Sequence, residues 1–114
     1  MAEIHLDRDV LSALQEVMEG EFGALLETFI SDSHQRLQQL HKASDRRQLV
    51  ATAHSFKGSS SNMGAVHLAA LCHRLEQSAA DLAPQDVDAL VAQIDREFAI
   101  VSQLYRQEAD AFRG

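Results

Sequence analysis

Apolar residues recur along this chain every three or four positions and nowhere alternate one by one. Phe22, Leu25, Leu26, Phe29, Leu37 and Leu40 form one such stripe, and Ser33 fills a gap in it. That spacing predicts a helix over about residues 21–43. Leu49, Ala53, Phe56, Ser60 and Met63 share one side of a second helix, over about 46–62. Leu68, Leu71, Cys72, Leu75 and Ala79 mark a third, over about 65–80. Val87, Leu90, Val91, Ile94, Phe98, Val101 and Tyr105 mark a fourth, over about 85–112.

Punctuation residues fall between these stripes. Asp45 followed by Gln48 has the spacing of a capping box, with Asp in place of the usual Ser or Thr. Gly64 is placed to end the helix that Asp45 begins. Pro84 suits the first turn of the last helix. A short helix over about 10–18, capped by Asp9 and ending near Gly20, precedes the rest. Amphipathic helices joined by short loops pack as an antiparallel up-down four-helix bundle. The expected fold is therefore all-α, with the short additional N-terminal helix closing one end. No repeat or linker interrupts the chain, so residues 1–114 are expected to form a single domain.

The stretch AHSFKGSSSNMGA, residues 53–65, breaks this economy. Serine and glycine weaken a helix unless packing or function asks for them. At about 100° per residue, His54 points away from the side shared by Leu49, Ala53, Phe56, Ser60 and Met63. It looks out of the bundle. Lys57 lies one turn on, and Gly58, Ser61, Val50 and Arg47 share the outer face. Gly58 and Ser61 leave the imidazole open to another surface; Lys57 and Arg47 set cations beside it.

The turn near Gly64 returns the next helix antiparallel. Equal rise, about 15 Å in each arm, then brings Glu76 to the level of His54. A carboxylate there can accept a hydrogen bond from Nδ1–H and leave Nε2 as the free nucleophile. Such a nitrogen, flanked by cations, suits an electrophilic anion, and phosphoryl is the natural candidate. No GxxxxGK[ST] or GxGxxG loop suggests ATP binding, and no acidic cluster has metal-binding spacing nearby, so the phosphoryl group and any magnesium must come from a partner.

Charge agrees with this picture. The chain carries −7 overall, which argues against nucleic-acid or anionic-membrane binding. Residues 41–76 nevertheless hold five cationic residues against Asp45 and Glu76, a net of +3, which leaves −10 for the remainder. A single cysteine, Cys72, excludes an intrachain disulfide and suits a reducing compartment. The first residues lack the basic and apolar regions of a signal peptide, so a cytoplasmic protein is expected.

At these residues the sequence resembles the histidine-containing phosphotransfer (HPt) domain family. The family's pattern H-x-x-K-G-S-[SA]-x-x-x-G-[AL] is met by His54, Lys57, Gly58, Ser59, Ser60, Gly64 and Ala65. Its LxxLCxxLE pattern is met by Leu68, Leu71, Cys72, Leu75 and Glu76. Phe56 replaces a common leucine, a change of packing rather than chemistry.

The resemblance implies a phosphoryl carrier of a multistep two-component phosphorelay. His54 would be phosphorylated by a receiver-domain aspartate of a hybrid histidine kinase and would load a response-regulator receiver. Lys57 would stabilise the phosphate, Gly58 give access, and Glu76 orient Nδ1. It also implies a monomeric, stand-alone bacterial type with no cofactor of its own, Mg²⁺ being expected on the partner receiver, and a carrier rather than an enzyme.

Arg47, Val50, Ser61 and Ile30 are candidate partner contacts, Val50 and Ile30 because they are read as lying off the core centres of their helices. Two other readings stand beside this one. The first is a docking module for receiver or kinase domains in which His54 has no chemical task. The second is a helical metal protein using His67, Cys72 and His73, whose spacing is poor for zinc.

Overall fold

A computed structural model describes residues 4–113. Helix α1 spans Arg8–Met18, α2 Phe22–Lys42, α3 Arg46–Asn62, α4 Val66–Ser78 and α5 Pro84–Arg113; a single 3₁₀ turn over Glu19–Glu21 joins α1 to α2. The described residues are all helix and connection. Helices α2 to α5 form a closed ring in which each packs on the next and α5 returns to α2. This is the expected up-down bundle. Its core is one cluster running from Leu11 to Ala109. At about 1.5 Å per residue, the 30 residues of α5 account for the 46 Å long axis.

Local chemistry sets the boundaries. Asp45 accepts from Gln48 N–H at 2.8 Å and starts α3 where the capping pattern places it. The Gln48 side chain reaches back to Ser44 N–H at 3.2 Å, one residue earlier than in an ordinary capping box. Helix α1 differs from expectation. Its cap is Asp7, which accepts from Asp9 N–H and Val10 N–H, and Asp9 lies inside the first turn. An aspartate at either place suits a helix start, so the sequence left two registers open.

Every residue assigned to the inner side of α3 is buried: Leu49, Ala53, Phe56, Ser60 and Met63. Ser33 is buried as well. Its hydroxyl and those of Ser60 and Ser102 have no protein hydrogen-bond partner among the described residues. Ile30 corrects the sequence reading. It is 3% exposed, a core residue and no partner contact. It stands four residues after Leu26 and seven before Leu37, squarely in the α2 stripe.

Helices α3 and α4 are fixed at both ends of their shared wall. At the upper end the Arg46 guanidinium donates to the carbonyl of Ala79, just past α4. At the lower end Tyr105 O–H donates to the carbonyl of Met63. Asp7 N–H donates to the carbonyl of Gly64 at 2.8 Å. The segment before α1 is held further by His5 Nδ1, which donates to the buried Glu97 at 2.7 Å, and the first residue of α1 by an Arg8–Glu108 ion pair.

Gly64 has φ +77°, and a Cβ there would sit 3.1 Å from Val10 Cβ and 3.3 Å from the Asp7 carbonyl oxygen. Gly64→Ala is therefore expected to cost about 1–3 kcal/mol. A urea-unfolding midpoint equal to that of the natural chain would contradict this.

Candidate functional site

The site lies on the wall shared by α3 and α4. His54 projects from the middle of α3 with its side chain 67% exposed. Its Nδ1 is 2.7 Å from Glu76 Oε2, across the gap to α4. A carboxylate only accepts, so in the neutral ring the proton sits on Nδ1. Nε2 then carries the free lone pair and faces solvent, with no partner among the described residues.

The antiparallel return at Gly64 brings His54 and Glu76 level, as equal rise requires. Lys57 Nζ is 2.8 Å from the other carboxylate oxygen of Glu76, Oε1. The His73 ring stands more loosely at 4.0 Å from that oxygen. One carboxylate thus serves two neighbours, and the sequence reading foresaw only the histidine. Both Lys57 and Glu76 were visible as candidates. Their pairing follows from side-chain direction, which spacing alone does not fix.

The Lys57 ammonium, first, and then His54 hold the Glu76 carboxyl below the ordinary carboxylate range. A carboxyl lowered by folding adds stability that is complete above its unfolded value and fades as the pH falls through its folded one. For Glu76 that loss falls below about 4.5. Glu76→Gln is expected to flatten this acid limb of the stability profile, and acid titrations of both proteins followed by circular dichroism will test it. Identical acid limbs would show that the carboxylate contributes nothing there.

Of the other candidates, Gly58 is open. A Cβ built on it meets nothing within 4 Å. Arg47 and Val50 line a shallow, largely apolar groove that runs from His54 along α3 toward the end of α4. The sequence reading missed Arg46, Ala51 and Ala80, which line the same groove. Alanine gives little signal as a contact residue, although the i, i+3 and i+4 spacing of Val50 and Ala51 to His54 places them on its face. Ser61 is exposed two turns toward Gly64 and does not line the groove.

Cys72 is fully buried in the core, and burial pushes its thiol up to about 12. The thiolate that zinc requires is disfavoured there. No group of three or more metal-ligating side chains occurs among the described residues.

Residues 24–100 match the family model for the Hpt domain. The chain belongs to the Hpt domain family. Its structure is also similar to the crystal structure of histidine-containing phosphotransfer protein B (HptB) from Pseudomonas aeruginosa PAO1. The two share 52% sequence identity with a TM-score of 0.88, over 96% of this chain and 98% of that one. No curated protein sequence matches the chain. This Hpt protein is thus a histidine phosphotransfer protein of phosphorelay signalling. Among the described residues no helix is long and apolar enough to cross a membrane.

Proposed function

We propose that His54 of this Hpt protein accepts a phosphoryl group from the aspartyl phosphate of a hybrid kinase's receiver domain and passes it to the receiver domain of a response regulator. One observation carries the reading: Nδ1 is engaged by Glu76 at 2.7 Å on a ring that is 67% exposed, so Nε2 is aimed at an incoming surface. In the transfer the Nε2 lone pair attacks phosphorus in line with the leaving oxygen. The P–O bond to aspartate breaks, and its electron pair stays on the aspartate carboxylate. The ring keeps its Nδ1 proton and becomes cationic, facing the Glu76 carboxylate. The reverse sequence loads the next receiver.

Lys57 supplies the cation for the transferring group, and Gly58 keeps the approach clear. The apolar groove around Val50, with Arg47 at its rim, offers the receiver a docking surface. Mg²⁺ belongs to the receiver's acidic site in this scheme. The chain acts as a monomeric, cytoplasmic carrier rather than an enzyme.

Incubation with a phosphorylated receiver and Mg²⁺ tests the proposal. The expected product is a label on this chain that is stable to alkali and labile to acid, as phosphohistidine is. A chain that binds the receiver but takes no label would be a docking module, and the proposal would be overturned.

A further inference from the structure

The two oxygens of Glu76 hold different groups. Oε2 takes the ring N–H of His54, and Oε1 stands 2.8 Å from the Lys57 ammonium, an ion pair without hydrogen-bond geometry. Lys57 sits three residues after His54 on the same helical face. Its four-carbon stem is flexible, and its charge is a compact point. It therefore reaches either the carboxylate behind the ring or a group attached in front of it. In the free chain the carboxylate is the anion at hand, and Lys57 is drawn back onto it. Nε2 stands clear as a result. The Lys57 side chain is 28% exposed, so water reaches this ion pair and screens part of it.

A phosphoryl group on Nε2 changes the balance. It brings two negative charges beside Lys57, and it makes the ring cationic. The geometry points to an exchange: Glu76 is a positioning residue that parks Lys57 behind the imidazole, and phosphorylation of His54 draws Lys57 off Oε1 onto the phosphoryl oxygens, leaving the carboxylate to the imidazolium. Two opposite charges are then paired where one carboxylate was shared. The groups facing Glu76 are His54, Lys57 and, at 4.0 Å, His73. His73 offers no competing anion. The inference rests on the phosphotransfer reading above.

The chain has two lysines, Lys42 and Lys57, so ¹⁵N-lysine labelling yields two side-chain signals, with the remote Lys42 as internal control. Phosphoramidate loads the histidine without a receiver. Nε2 attacks phosphorus, the P–N bond of the protonated donor breaks, and ammonia leaves with its electron pair. A second sample labelled with ¹⁵N-histidine reports the loading through the ring signals of His54.

The expected result is that loading moves the Lys57 Nζ signal by more than its linewidth and leaves Lys42 in place. In Glu76→Gln the Lys57 signal of the unloaded chain should already be displaced. A loaded His54 with an unmoved Lys57 would overturn the exchange and leave the phosphotransfer reading intact. A Lys57 signal in unloaded Glu76→Gln that matches the natural chain would overturn the parked state. Failure of His54 to load from phosphoramidate and from a phosphorylated receiver alike would overturn both readings together.

Discussion

His54→Gln is expected to abolish phosphoryl labelling of the chain by a phosphorylated receiver, while the fold stays intact. The glutamine amide nitrogen has its lone pair delocalised into the carbonyl and cannot attack phosphorus. The side chain can still donate a hydrogen bond to Glu76, so the contact that joins α3 and α4 has a substitute. The replaced ring is 67% exposed, and exposed substitutions rarely move stability by more than about 0.5 kcal/mol.

Three of the other histidines are poorly placed to take over. His5 also has its Nδ1 on a carboxylate, Glu97, but its side chain is only 28% exposed; His41 has its Nε2 on Asp95, and His34 lies edge-on against Phe98. His73 is exposed and close to Glu76, so it is the natural site to inspect for residual label. Labelling of His54→Gln at the level of the natural chain, with unchanged circular dichroism, would reject His54 as the acceptor.

The second large effect is on stability. Phe56→Ala is expected to cost about 3–5 kcal/mol, the range for truncating a buried aromatic side chain. Phe56 is fully buried, on the side of α3 opposite His54. Its ring meets Phe98 edge to face, with centroids 6.4 Å apart. Removal deletes apolar surface, leaves a cavity among helices that cannot close in fully, and loses the aromatic pair. A domain of this size has about 5–15 kcal/mol in total, so a large share of stability goes. Phe56→Leu, which retains most of the apolar volume, should lose much less. Urea unfolding of the three proteins checks this, and equal midpoints would show that the residue is not the packing centre it is taken to be.

How far the sequence spoke for itself depends on the range of the interaction. Helix α3 was legible to the residue because Asp45 and Gly64 punctuate it chemically, and both signals are local. The outward aim of His54 followed from helical phase alone. The level of Glu76 followed from counting equal rises about one turn. What stayed hidden needed contacts between distant segments. Glu97 gave no signal of its own in the sequence; it is 4% exposed where His5, ninety-two residues earlier, comes to meet it. Ile30 was misplaced for a different reason. Its periodicity was readable, and Leu26 and Leu37 give its phase. Lys57 was read as the cation beside His54, and rotamer choice decides which anion it meets.

The fastening of α3 to α4 bears on chemistry some distance away. The imidazole and the carboxylate that sets its proton ride on separate rails, and a hydrogen bond tolerates only a few tenths of an ångström of misalignment. Tyr105 and Asp7 anchor the common bend of the rails to α5 and to the segment before α1, about 15 Å below the ring. Arg46 clamps them above. A single phenol on the diagonal helix therefore steadies the bend from which both rails rise.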